Sequence, residues 1–254
     1  MSDRIMAAHQ PNFIPYLGFF DKLNQSDVFI IRDEVLFVEK DYHHRNRIRI
    51  NSVDNINNPQ FKWIKVPVNP INDYIKHVSI NKDFRYKDRR WRDQILHDIR
   101  VNYDKAPFFD RFFPKFEEIF LDHDEKLIHL NMDIINLLKN AFGIKTRVVM
   151  ASDFGLKPEY YDKSDAAEDL VNLCKAVNAN VYLSGEGGKV YLNLEPFERE
   201  GIEVRFQDYN HPVYKQRFPG FVPNMGAVDA LFCVGSMPAL KSEVVVESNI
   251  IPTP

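Results

Sequence analysis

Cysteine is scarce in this chain: Cys174 and Cys233 are its only two, and each stands alone among apolar residues. Two isolated cysteines exclude a disulfide framework, and without a Cys-x-x-Cys pair they do not form a zinc site. We therefore expect reduced thiols in the core of a cytoplasmic protein.

The chain also lacks an excess of charge of one sign and any long apolar run. Its 33 Lys and Arg nearly balance 36 Asp and Glu, for a formal net charge of -3. Such a balance provides no overall attraction to DNA or to an anionic membrane surface. No apolar run approaches the roughly 18 residues of a membrane-spanning helix, and the first residues lead directly into a predicted strand, so no signal peptide is expected. We expect neither DNA nor a membrane as a partner.

Several catalytic signatures are missing as well. The sequence has no Gly-x-Ser-x-Gly elbow, no His-Glu-x-x-His pair and no Gly-x-Gly-x-x-Gly fingerprint. Their absence removes support for a serine hydrolase, a zinc protease or a Rossmann dehydrogenase. The adjacent His43 and His44 lack the spacing of a helical metal pair, so no metal site is predicted.

What the chain does contain is enough apolar material for a packed core, with 254 residues of which 44% are hydrophobic and 13% aromatic. Strand-like and helix-like patterns alternate at both ends of the chain. Strands are predicted at 5–8, 28–31, 61–68, 146–150, 180–183 and 201–206, with strand-like alternation toward residue 50, and helices at 14–23, 165–177 and 228–234. Between them, in 86–142, apolar residues recur at helical spacing.

This alternation predicts an α/β protein with a parallel, Rossmann-like sheet. The layout is similar to the nucleotidyltransferase-type α/β fold, as an analogy at the level of the fold. We divide the chain into a first α/β half at 1–85, a helical insert at 86–142, and a second α/β half with an irregular C-terminal tail at 143–254.

The segment 9–16, directly after the first predicted strand, carries the densest polar chemistry of the chain. Prolines fix its backbone, and its side chains supply donors, acceptors and one titratable ring: His9, Gln10, Asn12 and Tyr16. A loop at the carboxyl end of a first strand, beside a helix N-terminus, is where α/β proteins build ligand sites. We assign a catalytic role to His9 and substrate binding to the other three. The alternative is that His9 and Gln10 only hold a tight turn.

Charged residues follow the next strands. Asp33 and Glu34 come directly after the second predicted strand, and since consecutive side chains of an extended chain point in opposite directions, only one can face a site. Asp33 is the candidate to orient or deprotonate an amine, with a solvated turn as the alternative. Arg45, Asn46 and Arg47 offer donor groups suited to a diphosphate, with a basic surface turn as the alternative.

A glycine-rich segment follows the strand predicted at 180–183. Its glycines let a backbone approach a ligand closely, and its side chains add a hydroxyl, a carboxylate, an amine and a phenol: Ser184, Gly185, Glu186, Gly187, Gly188, Lys189 and Tyr191. We assign catalytic roles to Glu186 and Lys189 and substrate binding to the rest. Further along, Gln216 could complete a pocket, although packing or capping is the commoner role of such a residue.

Taken together, these segments resemble the WbqC-like family of bacterial polysaccharide gene clusters, over nearly the whole chain. The resemblance is carried by His9-Gln10-Pro11, Pro15-Tyr16-Leu17-Gly18, Arg45-Asn46-Arg47, Val66-Pro67-Val68, Tyr103-Asp104-Lys105-Ala106-Pro107, Tyr182-Leu183-Ser184-Gly185, Tyr214, Gln216 and Phe218. It implies an enzyme of O-antigen (lipopolysaccharide) or related glycan biosynthesis. Such an enzyme would attach an amino acid such as glycine to the amine of a nucleotide-linked amino sugar.

Our lead hypothesis is therefore a transferase that forms an amide on the amino group of a nucleotide-sugar. His9 and Lys189 would stabilise the charge that develops during transfer. Asp33 or Glu186 would orient or deprotonate the attacking amine. The arginines at 45 and 47 would hold the diphosphate. By analogy with pantothenate synthetase, whose fold is similar, ATP with Mg²⁺ would first activate the carboxylate of the amino acid.

Two alternatives stay open. In the first, an aminoacyl-tRNA or an acyl-CoA supplies the acyl group and no ATP is used. In the second, the protein is a non-catalytic binding subunit of a glycan-assembly complex, and the aromatic stripe at 108–116 is its partner surface. The stripe is otherwise interpreted as core or as the interface of a homo-oligomer.

Overall fold

The protein is described by a computed structural model that covers residues 2–51, 60–69, 72–121, 125–155, 165–238 and 243–246. In chain order the strands and helices are β1 (Ile5–His9), α1 (Leu17–Asn24), β2 (Val28–Ile31), β3 (Arg45–Arg49), β4 (Phe61–Lys65), β5 (Arg85–Tyr86), β6 (Arg89–Arg90), α2 (Trp91–Tyr103), α3 (Phe109–Leu121), α4 (Leu127–Ala141), β7 (Arg147–Met150), α5 (Asp165–Ala176), β8 (Val181–Ser184), α6 (Gly188–Tyr191), α7 (Glu195–Arg199), β9 (Glu203–Asp208), α8 (Val228–Val234) and β10 (Glu243–Val246). Two short 3-10 helices lie at Ile75–His77 and Ala151–Phe154.

The central sheet has the strand order β10-β9-β8-β1-β2-β7. The five strands from β9 to β7 are parallel, and β10 pairs antiparallel with β9 at one edge. Counted along the chain, the parallel strands stand in the order third, second, first, fourth and fifth, which is the order of Rossmann-like folds. The prediction of an α/β protein with a parallel, Rossmann-like sheet is confirmed.

The strand order reverses direction between β1 and β8, and ligands of such sheets bind in the crevice at this point. The register pairs Met6 with Tyr182 and Ala7 with Leu183. Because both strands run in the same direction, their carboxyl ends lie next to each other. The segments that begin at His9 and at Gly185 therefore leave the same end of the sheet side by side.

Apolar cores lie on both faces of the sheet, because successive side chains of a strand alternate between the faces. Phe29 and Ile31 belong to the larger core, which also contains residues of α1, α2, α3, α4 and α8. Val28 and Ile30 belong to the smaller core, with residues of α5 and α7. The helical segment α2–α4 therefore shares a core with α1, and the three-part division of the chain stays a prediction.

The aromatic stripe at 108–116 is part of the larger core. Phe109, Phe113 and Phe116 are buried. All three rings lie near Phe232 of α8, with centroids 5.3, 6.4 and 6.2 Å away. Its interpretation as core is therefore correct for these three rings, and they offer no exposed surface for a partner.

Differences from the predicted bounds occur at prolines and tight turns. The helix predicted from residue 14 begins at Leu17, after Tyr16 in an extended conformation. The strand predicted to residue 68 ends at Lys65, shortly before Pro67, which has no backbone donor. The end of the glycine-rich segment, predicted as a loop, forms the single helical turn α6.

Among the residues that the structure describes, no helix combines the length and the apolar character needed to cross a membrane.

Candidate functional site

A cavity of about 460 Å³ opens beside the carboxyl end of β1. Its lining comes from three stretches far apart in the sequence: His9, Gln10, Asn12, Tyr16, Asp41, Tyr42, Asn46, Arg47 and Asn224. The structure thus brings the predicted loop 9–16 together with two predicted residues of β3. Asp41, Tyr42 and Asn224 were not predicted. The first two lie shortly before the predicted arginine stretch. Asn224 lies in a polar stretch bounded by proline and glycine, a pattern that more often indicates capping or packing than binding.

The loop 9–16 is strained at Ile14. This β-branched residue has a φ of 47°, in the left-handed region that such side chains disfavour. Asn46 Nδ2 holds the strained backbone by donating to the carbonyls of Ile14 at 2.7 Å and Phe13 at 3.2 Å. Gly226 packs closely as well, since a Cβ there would lie 2.8 Å from Ile14 Cγ2. Backbone strain held by its surroundings is typical of functional sites.

A chain of hydrogen bonds fixes the polar groups at the start of this loop. The backbone N–H of Val38 donates to His43 Nδ1 at 3.3 Å, so the proton of that imidazole lies on Nε2 and is donated to Gln10 Oε1 at 2.9 Å. The Gln10 side chain therefore keeps its two N–H donors for other partners. His9 donates from Nδ1 to the Gln10 carbonyl at 2.9 Å, which leaves His9 Nε2 as a hydrogen-bond acceptor.

Burial keeps both imidazoles neutral. Burial first, and then the charge of Lys22, lower the pKa of His9 to about 3. Burial lowers the pKa of His43 to about 4. The same cause lowers the pKa of Lys22 to about 8, because removing a charged group from water disfavours its charged form. At neutral pH the cavity therefore presents an uncharged His9 close to a mainly protonated lysine.

Lys22 is a buried cation that the sequence predictions did not include. It is 5% exposed and donates from Nζ to the carbonyl of Ala8 at 2.9 Å. A Cβ added at Gly185 would lie 3.9 Å from this Nζ, so the ammonium group sits between the ends of β1 and β8. A charged residue within the apolar run of α1, between Phe20 and Leu23, is the signal that could have identified it.

The two predicted arginines of β3 have different surroundings. Arg47 lines the cavity, and its Nη2 donates to the carbonyl of Asn224 at 2.9 Å. Arg45 donates to carbonyls of the turn before β3, and its guanidinium carbon lies 4.8 Å from the centroid of the Trp63 ring. Carbonyl groups therefore hold both guanidinium groups, and of the two only Arg47 faces the cavity.

The glycine-rich segment reaches the same sheet edge without lining the cavity. A Cβ at Gly188 would overlap the hydroxyl of Ser184, which is itself buried and donates to the carbonyl of Gly185 at 3.2 Å. A Cβ at Gly187 would meet no atom within 4 Å. Close internal packing therefore explains the glycine at 188 but not the one at 187.

Among the polar residues of this segment, the Glu186 carboxylate interacts electrostatically with Tyr16, which lies in the loop after β1. Burial is the largest cause that raises the pKa of Tyr16, and the charges of Asp21 and then of Glu186 add to it. Lys189 is exposed and Tyr191 is 59% exposed. Neither of the latter two lines the cavity, so their predicted roles remain predictions.

Two predicted site residues lie elsewhere in the fold. Asp33 is 2% exposed, and its carboxylate accepts hydrogen bonds from the backbone N–H of Ser152 at 3.0 Å and from its hydroxyl at 2.6 Å. It is therefore neither in a solvated turn nor in the cavity. Gln216 donates to the Asp229 carboxylate and to the carbonyl of Val222, both at 2.9 Å. These bonds give Gln216 the packing role that was the commoner expectation.

The lining combines four kinds of group. It has a neutral imidazole acceptor (His9), amide donors (Gln10 and Asn12), a cation (Arg47) and a carboxylate (Asp41). Such a set can hold a phosphate through its cation and an amine through its carboxylate. Within the described part of the chain, no three His, Cys, Asp or Glu side chains are grouped so that they could hold a metal ion.

Comparison with known proteins gives a family and one relative. A sequence model of the WbqC-like protein family matches residues 10–239, a range that contains every cavity-lining residue except His9. The protein named "Uncharacterized protein Rv1507c" of Mycobacterium tuberculosis (strain ATCC 25618 / H37Rv) is 29% identical over 233 residues, which cover 91% of this chain and 94% of that protein. No solved structure matches.

Proposed function

We propose, since the chain belongs to the WbqC-like protein family, that it forms an amide on the amino group of a nucleotide-linked amino sugar. The observation that carries the proposal is one cavity lined by a neutral imidazole, a carboxylate and a guanidinium group: His9, Asp41 and Arg47. The product would serve O-antigen or related bacterial glycan synthesis.

In amide formation the lone pair of an amine attacks an activated carbonyl, and the nitrogen then loses a proton. Asp41 would hold the amino group through a charge-assisted hydrogen bond and take up the proton that the nitrogen releases. His9 Nε2 would accept a hydrogen bond from the same nitrogen, because the Nδ1–H is committed to the Gln10 carbonyl. Asp41 takes the role first assigned to Asp33, whose carboxylate is bound to Ser152.

Two negatively charged groups would need stabilisation, the oxyanion and the diphosphate, and donors of the same cavity would supply it. The side-chain amides of Gln10 and Asn12 can stabilise the oxyanion that forms on the attacked carbonyl, since donors fixed before the reaction need no rearrangement during it. Arg47 would bind the diphosphate of the nucleotide-sugar. The buried charge of Lys22 would add to the attraction for phosphate at the strand ends.

The acyl donor divides the proposal into two routes. In the first, the amino acid carboxylate attacks ATP with Mg²⁺ and releases pyrophosphate, and the amine then displaces AMP from the acyl adenylate. The segment 184–188, beside Lys22 at the same sheet edge, is where this route would place the ATP phosphates. In the second, the amine displaces the tRNA from an aminoacyl-tRNA, or CoA from an acyl-CoA.

The test is a direct search for the product. A dTDP-linked amino-dideoxy sugar is incubated with the protein and, in separate reactions, with glycine plus ATP and Mg²⁺, with glycyl-tRNA, or with acetyl-CoA. We expect mass spectrometry to detect a new amide with one donor. Asp41→Asn and Arg47→Gln should reduce the yield, while Asp83→Asn, which changes an exposed carboxylate outside the cavity, should not. A folded protein that gives no amide with any donor would contradict the proposal.

A further inference from the structure

We propose that the outer face of the two-stranded sheet β3–β4 binds a nucleobase, with the base and ribose of a nucleotide stacked on Tyr42 and Trp63. This face adjoins the cavity that contains His9, so it would hold the nucleoside half of a nucleotide-sugar. Binding of the nucleotide does not depend on the proposed function. Only the statement that a sugar is attached to it, and that this sugar reacts, rests on that function.

The face is built by alternation along two paired strands. The antiparallel register pairs Arg45 with Lys65, Arg47 with Trp63 and Arg49 with Phe61. Because side chains at every second position of a strand share a face, these six side chains project from one side of the sheet. The opposite side carries Ile48 and Ile64, which are buried in the larger core.

Cations and rings alternate on this face. The guanidinium carbon of Arg45 lies 4.8 Å from the centroid of Trp63. That of Arg47 lies 5.7 Å from the same ring and 4.9 Å from Phe61. Tyr42 joins the row, with its centroid 5.7 Å from that of Trp63 and its plane tilted by 41°. These cation–π contacts fix the rings before any ligand arrives.

Two of the rings are open to solvent. Trp63 and Tyr42 are each 41% exposed, whereas Trp91, the other tryptophan of the chain, is 1% exposed. Exposed aromatic side chains grouped in one place mark a binding surface. Tyr42 and Arg47 also line the cavity, so the face and the cavity form one continuous surface.

The positive charge of this face is neutralised only in part, by the Glu39 carboxylate, which pairs with Lys65 and also interacts electrostatically with Arg45. Arg47 and Arg45 donate to backbone carbonyls, and neither forms an ion pair within the residues that the structure describes. Lys65, at the far end of the row, is the one that pairs with Glu39. The guanidinium group of Arg47, which contacts the Trp63 ring and lines the cavity, therefore lies where the phosphates of a stacked nucleotide would bind.

This combination selects the class of ligand. An apolar peptide would not use the guanidinium groups, and a sugar phosphate without a base would not use the rings. A nucleoside diphosphate uses both, because every base has a π face that stacks on aromatic side chains. The face would therefore recognise a nucleotide without specifying the base.

Binding of dTDP, measured by equilibrium dialysis and by tryptophan fluorescence, tests this site. We expect dTDP to bind and to quench emission, and pyrophosphate and the free amino sugar to cause no quenching. Trp63→Leu should weaken dTDP binding by about tenfold or more. Trp63→Phe should keep most of the affinity but lose the quenching, since the remaining Trp91 is buried. Phe84→Leu, an exposed ring outside the face, is the matched control and should bind like the wild type.

Equal dTDP affinity in the wild type and in folded Trp63→Leu would overturn the proposal, as would an oligonucleotide that binds where dTDP does not. The result is separable from catalysis. If dTDP binds at Trp63 but no donor yields an amide, the proposed reaction fails and the nucleobase site stands. If an amide forms and Trp63→Leu leaves the KM for the nucleotide-sugar unchanged, the reaction stands and the nucleobase site fails.

Discussion

The two segments that leave the sheet side by side, 9–16 after β1 and 184–191 after β8, are held in opposite ways. The first is largely buried, is strained at Ile14 and is fixed by hydrogen bonds from Asn46 and His43. Most of the second is exposed, and only its glycine at 188 is closely packed. Rigidity supplied by the rest of the fold is what lets a polar loop keep one geometry before a ligand arrives.

The difference also shows that a glycine-rich segment predicts a ligand site less reliably than a loop that combines prolines with polar side chains. A glycine-rich run is explained equally by a ligand or by a neighbouring side chain, and at Gly188 the neighbour is Ser184. A loop that combines prolines with several different polar side chains has fewer explanations. The experiments below use this contrast, beginning with the one that we expect to have the largest effect.

We expect catalysis to depend on the segment 9–16 and not on the segment 184–191, and the opposite result would contradict the comparison. We expect His9→Ala to lower the rate of amide formation by about 10²-fold, because the acceptor that orients the attacking nitrogen is removed. Lys189→Ala, which changes an exposed side chain outside the cavity, should leave the rate nearly unchanged. Initial rates at saturating donor measure both effects. A larger loss of rate in Lys189→Ala than in His9→Ala would place the catalytic group in the segment after β8.

Acid should weaken the surroundings of the first segment. The pKa values of His9 and His43 in the folded state, about 3 and about 4, lie below their ordinary 6.5. The unfolded state therefore binds more protons between those values and 6.5, so the free energy of unfolding falls as the pH falls through this window. For His43 the full effect is on the order of 3 kcal/mol.

Urea titrations between pH 7 and pH 4 measure this loss. We expect the free energy of unfolding to decline less steeply in His43→Gln than in the wild type, because the substituted amide takes up no proton. Equal slopes in the two proteins would show that the acid sensitivity arises in another part of the molecule.

Two glycines of the segment 184–191 test whether packing or a ligand explains the glycine at each position. Gly188→Ala should destabilise the fold by about 1–3 kcal/mol through overlap with Ser184, and adding Ser184→Ala should restore most of the loss. Gly187 has helical backbone angles and open space around it, so Gly187→Ala should stabilise by about 0.4–1 kcal/mol. Urea midpoints give both values. If Gly187→Ala also weakens ATP binding, a ligand approaches the backbone there.

Local periodicity was sufficient to predict the five parallel strands and the longer helices, because each apolar pattern is set within a few residues. The short elements β5, β6, α6 and α7 were not predicted, nor was the edge strand β10, which lies in the tail that was expected to be irregular. The sequence did not decide whether His9 and Gly185 would lie side by side, because that depends on the pairing of β1 with β8. The position of Asn224 at the cavity could not be predicted, since its bond with Arg47 joins positions 177 residues apart. Trp63 was not singled out either. The alternation of β3 and β4 is visible in the sequence, but the register that interleaves the two strands is fixed by tertiary packing.

The backbone N–H of Gly226 donates to the carbonyl of Arg47 at 2.9 Å, and the same residue forms a bridge with Tyr16. This late segment emerges from the ribosome long after the loop that it supports. The cavity is thus completed by a segment that is translated long after its first wall. A nascent chain that ends before residue 224 would contain the loop without the Gly226 contacts, so the cavity would be incomplete until synthesis has passed that point.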